Sequence, residues 1–329
     1  MGDDNGVSDQ AGRSDAGSAT RSAIRVRSFP RPPDGFDPLA ASDRELLVHG
    51  FPGRPHDSQA GVLGERWREV VSRSKDHIQA EFVSAPKVSD GVSAAAPPNV
   101  LKSGWAGSTA QAPAVSHDEW GVVTARDPVT WVSGQWTVPD VRAVSDRTAA
   151  CATWVGIDGA RQIDSTDILQ VGTTQAVISG QQQTYAWWEW YPNPPHRITN
   201  FPVFPGDVVF CLICAPESTG AQVYLTNVTT GKFVSFAITA EGGGWSLAGD
   251  TVEWILENPL MGQNSFADLP RFGAVYFDEC VAGTRGNRLI FAGAAGSRVD
   301  SWIVGGSPAV QLATATAVTE RVIKIGCEL

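Results

Sequence analysis

Three glutamates and one glutamine sit where this chain could carry acid–base chemistry. Glu189 lies between two tryptophans in Tyr185-Ala186-Trp187-Trp188-Glu189-Trp190-Tyr191-Pro192. Glu253 and Glu257 bracket Trp254-Ile255-Leu256, and Gln170 closes Asp167-Ile168-Leu169-Gln170. A carboxylate can take a proton from water and return it to a leaving group. A fixed amide N–H can steady an oxyanion as it forms. Metal and thiol chemistry find less support. The histidines are His49, His56, His77, His117 and His196, and no H-E-x-x-H string occurs. Cys211-Leu212-Ile213-Cys214 has CxxC spacing, but it lies in an apolar run without a second pair or a nearby His. Such thiols read as small buried hydrophobes. No metal site and no cofactor are expected.

The elements that must position these groups read as strands. Aromatic residues fit a pleated, half-buried surface, and side chains alternate between its faces. Tyr185, Trp187, Glu189 and Tyr191 then share one face, with Ala186, Trp188 and Trp190 behind. Glu253, Ile255 and Glu257 likewise share a face, as do Ile168 and Gln170. Taken alone, each group has an ordinary structural role. Gln170 is a polar residue at a strand end, Glu257 a surface acid before Asn258-Pro259, and Glu189 a core-edge acid reaching a donor.

The 329 residues allow one large all-β domain or two smaller ones. Charged residues make up 18%, and Gly and Pro together number 55, a mix suited to turn-rich β structure. The net charge of −10 argues against nucleic acid, which needs clustered Lys and Arg. No run reaches the 18 apolar residues of a membrane helix. A monomer is expected. Residues 1–99 read as an extension: disordered over 1–35, a short helix at Ser42–Val48 capped by Ser42, a helix over about 64–82, and a linker over 84–99. It could be a removed pro-segment or a strap docked on the main domain. From Trp105 onward the grammar changes. Eleven of the twelve tryptophans lie there, and many short apolar runs alternate with Gly, Pro, Asn and Asp turns. That spacing predicts a sandwich or barrel over 100–329.

The strings Trp154-Val155-Gly156-Ile157-Asp158-Gly159, Ile168-Leu169-Gln170, Trp187-Trp188-Glu189-Trp190-Tyr191-Pro192 and Glu253-Trp254-Ile255-Leu256-Glu257, in this order, resemble the glutamic peptidases, the eqolisin family. The resemblance runs from about Trp105 to the C-terminus. It implies an antiparallel two-sheet, concanavalin-like β-sandwich, and an acid-acting endopeptidase that takes a peptide or protein substrate. It also implies a Gln/Glu dyad: Gln170 stabilises the oxyanion, and Glu257, the second acid of its strand, is the general base and acid. Glu253 shares that face and competes for the role. Glu189 becomes a supporting acid, with Asp158, Trp154, Trp187, Tyr191 and Trp105 lining the cleft. Gln170 and Glu257 are expected on neighbouring strands. The chain departs from the family at Gly104, where an Asn is usual before the Trp105 position, for which Trp120-Gly121 is a rival, and at Ala186, where relatives carry an acid. Family members are typically secreted, whereas Met1–Gly6 shows no basic and apolar leader pattern.

Two other readings fit an aromatic sandwich. One is a carbohydrate-binding module or glycosidase with Glu189 and Glu257 as its carboxylate pair, and the separation of those carboxyls discriminates it. The other is an inactive binding domain of the same fold.

Overall fold

A computed structural model of the chain describes residues 24–55, 60–84, 104–160, 167–241, 244–259, 266–301, 303–305 and 310–329. In chain order, the first part holds β1 (Ile24–Ser28), α1 (Asp43–Val48), α2 (Ala60–Arg73), β2 (Asp76–His77) and β3 (Phe82–Ser84). Next come β4 (Trp105–Gln111), β5 (Ala114–His117), β6 (Val123–Arg126), β7 (Val129–Thr137), β8 (Ala149–Ile157), β9 (Ile168–Ile178), β10 (Gln181–Tyr191) and β11 (His196–Ile198). Then follow β12 (Val208–Glu217), β13 (Gly220–Asn227), β14 (Lys232–Ala240), β15 (Thr251–Glu257) and β16 (Ala274–Thr284). Last are β17 (Leu289–Phe291), β18 (Ser297–Ser301), β19 (Val304–Gly305), β20 (Val310–Gln311), β21 (Ala313–Thr319) and β22 (Val322–Cys327).

Among the described residues, two large sheets dominate. The first runs β1-β14-β13-β12-β7-β16-β22-β21, with β17 and β2 attached at its sides. The second runs β18-β4-β15-β8-β9-β10-β11-β3. Their long neighbours pair antiparallel, as expected for a sandwich built from hairpins and crossovers. The inner faces bury one continuous core that includes Trp136, Trp188, Trp190, Trp254, Phe236 and Phe277, all fully shielded from solvent. Alternation along β10 decides which rings enter it. Ala186, Trp188 and Trp190 join this core, while Tyr185, Trp187 and Tyr191 join a separate cluster on the outer face of the second sheet.

The N-terminal extension differs in part from its expectation. The helix at Ser42 forms as expected. Ser42 accepts from the Glu45 N–H, and the Glu45 carboxylate reaches back to the Ser42 N–H in a complete capping box. Residues 24–28, however, are not disordered. Ile24 and Val26 alternate with arginines, a period-2 pattern that pairs Ile24–Ser28 with Phe236–Ala240 of β14. The disorder expected for 1–23 and the linker over 85–99 lie outside the described residues.

The helix expected at 64–82 is α2, which begins earlier and stops at Arg73. The amides of Lys75 and Asp76 turn to the Gly231 carbonyl, and that of Ile78 to the Phe233 carbonyl. Ile78 and Phe82 therefore pack against the core from strand-like backbone, and their apparent helical spacing reflects docking. Leu46, Phe51, Val70 and Val71 bury against Phe210, Tyr224 and Phe233 on the outer face of the first sheet. In the described part of the extension, β1 joins one sheet and β3 the edge of the other. Among the described residues no helix is long and apolar enough to cross a membrane.

Candidate active site

The outer face of the second sheet carries the polar groups picked out by sequence, and strand register sorts them into rows. Residues directly opposite each other on paired strands point to the same face. One row reads Glu253 (β15), Gly156 (β8), Gln170 (β9), Glu189 (β10). The next reads Ile255, Trp154, Gly172, Trp187, and the one after it Glu257, Ala152, Thr174, Tyr185. Trp105 on β4 stands opposite Glu257.

Gln170 and Glu257 are therefore not on neighbouring strands, because β8 runs between them. They are also out of line: Gln170 stands opposite Gly156, and Glu257 opposite Ala152, four residues away. With strands about 4.8 Å apart and a rise of about 3.3 Å per residue, their Cα atoms lie ~16 Å apart. Glu253 sits in line with Gln170 at about 10 Å, two strand spacings away. The residue between them is Gly156, which has no side chain to fill the gap. A Cβ there would come within 3.0 Å of the Trp154 ring and 3.5 Å of the Gln170 Cβ. Glu253 and Gln170 thus flank this glycine from either side on one face of the sheet.

Hydrogen bonds fix the amide. Gln170 Nε2 donates to Glu189 Oε2 at 2.6 Å, short for an N–H···O bond. A carboxylate accepts and does not donate, so the contact also fixes which end of the amide is nitrogen. Gln170 is buried, and no donor among the described residues reaches its Oε1. Glu253 is fully buried.

Glu257 has different company. The Trp154 indole N–H donates to its Oε2 at 2.9 Å, and Trp105, Trp154 and Ile255 form the apolar cluster at this spot. The indoles of Trp105 and Trp154 meet edge to face with centroids 5.0 Å apart. Removal from water pushes the Glu257 carboxyl up to about 7, against smaller downward pulls from Trp154 and Trp105. A raised value in the folded state means stability that is complete below about 4.5 and lost as pH rises through about 7. Glu257→Gln, which cannot ionise, should escape that loss. Thermal melts from pH 4 to 8 should show wild type falling relative to the variant between those values. Parallel curves would show that Glu257 titrates normally.

Asp158 is placed by the structure, but not as a cleft acid. It has a positive φ of 69°, and its carboxylate accepts from the amides of Ala248, Gly249 and Asp250. It anchors the turn that leads into β15, and so sets the height at which Glu253 enters the row. Burial raises its pKa, while those same amides pull it down. Trp154 and Trp187 are buried in the cluster floor, with Tyr185 and Tyr191 partly exposed at its edges. Gly172 lets them pack, since a Cβ there would lie 2.5 Å from the Trp154 Cβ. Sequence reasoning missed the role of Gly156, although it stands inside the Trp154–Gly159 string, and missed Arg197. Arg197 pairs opposite Trp187 and rests over the Tyr185 ring at 4.4 Å.

The Cα atoms of Glu189 and Glu257 are three strands and four residues apart, ~20 Å by the same spacings, whereas a glycosidase pair holds its carboxyls about 5–9.5 Å apart.

Comparisons with known proteins agree on one relationship. The model of the Peptidase A4 family matches residues 118–323. Aspergillopepsin-2 of Aspergillus niger is 30% identical over 189 residues, covering 51% of this chain and 65% of that protein. Scytalidopepsin B of Scytalidium lignicola is 34% identical over 127 residues, covering 39% of this chain and 46% of that protein. The chain thus matches less than two thirds of either relative. In three dimensions it resembles the crystal structure of scytalido-glutamic peptidase with a peptide-based transition state analog. There the TM-score is 0.54 at 23% identity, over 68% of this chain and 98% of that one, a likeness of fold.

Proposed function

The chain belongs to the Peptidase A4 family, and from that premise we propose that it is a glutamic-type endopeptidase whose dyad is Gln170 and Glu253. The observation that carries this reading is the row Glu253–Gly156–Gln170–Glu189. It moves the base role from Glu257, to which the sequence resemblance assigned it, to the acid aligned with the glutamine.

In this reading a water sits over Gly156 between the two side chains. Glu253 takes its proton as the oxygen attacks the peptide carbonyl, and then passes that proton to the leaving amine. Gln170 Oε1 orients the water. One Nε2 hydrogen is committed to Glu189, which leaves the other to donate to the oxyanion of the tetrahedral intermediate. Glu189 keeps the amide from rotating. The reaction needs a carboxylate that alternates between charged and neutral forms within one turnover. Acid unfolds protein substrates, and so supplies extended segments. Residues from about 100 onward carry the reaction, while α1 and α2 pack on the outer face of the first sheet.

Cleavage of casein by the purified full-length protein from pH 2 to 7 tests the activity. The expected profile peaks on the acid side and is unmoved by a chelator, by a serine-directed fluorophosphonate or by iodoacetamide. Activity confined to neutral pH, or abolished by any of these reagents, would remove the dyad reading.

A further inference from the structure

We propose that Arg197 is a specificity-determining residue that selects peptides bearing an acidic side chain about three to four residues from the scissile bond. The inference rests on the Gln170–Glu253 row as the place of hydrolysis, and adds a substrate class to it. Residues of the second sheet that face the cleft are mostly apolar or acidic: Glu189, Glu253 and Glu257 stand among tryptophans. Among the described strand positions of that face, the basic residues are Arg197 on β11 and Arg298 on β18. Arg298 is ion-paired with Asp300. Arg197 has no ion pair among the described residues, and it is exposed. In a chain of net charge −10, an uncompensated guanidinium beside the cleft runs against the general charge.

Its placement suits a docking role. Arg197 stands opposite Trp187, so it continues the cleft floor by one strand, with Val83 of β3 beyond it. The guanidinium lies 4.4 Å from the centroid of the Tyr185 ring. Stacking on an aromatic face holds a cation in place without neutralising it. The planar fork keeps donors to offer a carboxylate in bidentate fashion. By strand register, Glu189 stands one row along β10 from the residue opposite Arg197. His196 points to the opposite face, stacked on Trp188. Two strand spacings and one row separate Arg197 from Gln170, ~12 Å, which is about the length of three to four extended residues.

The test uses paired fluorogenic peptides, each carrying Glu or Gln at one position on either side of the scissile bond. Initial rates give kcat/KM for the wild type, Arg197→Ala and Arg197→Lys at pH 3 and pH 5.5. At one position the wild type should favour Glu over Gln by about tenfold at pH 5.5, the scale of one charge-assisted contact. The preference should shrink at pH 3, where a substrate glutamate with a pKa of about 4.3 is mostly neutral. Arg197→Ala should bring the ratio to about one at both pH values, and Arg197→Lys should leave an intermediate ratio. The ratio is read within each variant, so a general loss of rate does not mimic the effect. A wild type that cleaves both peptides without preference at every position overturns the inference and leaves the hydrolysis reading standing. So does a preference that survives in Arg197→Ala. A wild type that cleaves neither peptide overturns the hydrolysis reading, and this inference with it.

Discussion

Gln170→Ala is expected to lower kcat by roughly 10²–10³, the usual effect of removing one oxyanion donor, with a much smaller change in KM. The oxyanion exists only in the transition state and the intermediate, so its donor contributes little to binding the ground state. The buried amide is held by Glu189 at 2.6 Å, and so arrives already oriented. Glu189→Gln tests that bracing. An amide there can accept from Gln170 or donate to it, so the glutamine is no longer held one way round. The loss should be smaller than for Gln170→Ala, about tenfold, and again in kcat. Steady-state kinetics on one peptide substrate separate the two parameters. If Gln170→Ala raised KM and left kcat unchanged, Gln170 would be a binding residue and not part of the chemistry.

Much of this site can be read from strand alternation. Tyr185, Trp187 and Tyr191 do share the outer face of their sheet, and Trp188 and Trp190 do enter the core, because period 2 is a property of the strand itself. The capping box at Ser42 and Glu45 is equally local, and it forms. What alternation cannot supply is register. Glu253 and Glu257 have the same parity, so both face the same side of the sheet, and only the pairing of β15 with β8 tells them apart. Those strands are almost a hundred residues apart in sequence, and nothing in either one encodes which residues stand opposite. The same blindness hid Gly156, which matters only because it falls between Glu253 and Gln170. Asp158 misleads for a related reason: a buried acid beside a cleft motif looks available until its three backbone donors are seen. Arg197 lies in a strand of three residues, too short for a periodic signal. The expected helix at 64–82 is too long because Ile78 and Phe82, docked from strand backbone, fall by chance on the helical face.

Transfer of the proton to Glu253 and not to Glu257 is the step on which the mechanism turns, and isosteric replacement of each acid separates them. A glutamine in either place keeps the size and most of the packing but cannot accept the proton. Removing a general base typically costs 10²–10⁴ in rate, so Glu253→Gln should lose roughly 10³-fold in kcat at every pH. Glu257→Gln keeps an acceptor for the Trp154 indole, lies ~16 Å from Gln170 on the sheet spacings, and should stay within about tenfold of wild type. The measurement is kcat for both variants and wild type on one peptide, from pH 2 to 7. A collapse in Glu253→Gln with Glu257→Gln largely intact is the predicted result. The reverse pattern would return the base to Glu257 and contradict the alignment of Glu253, Gly156 and Gln170 as the catalytic row.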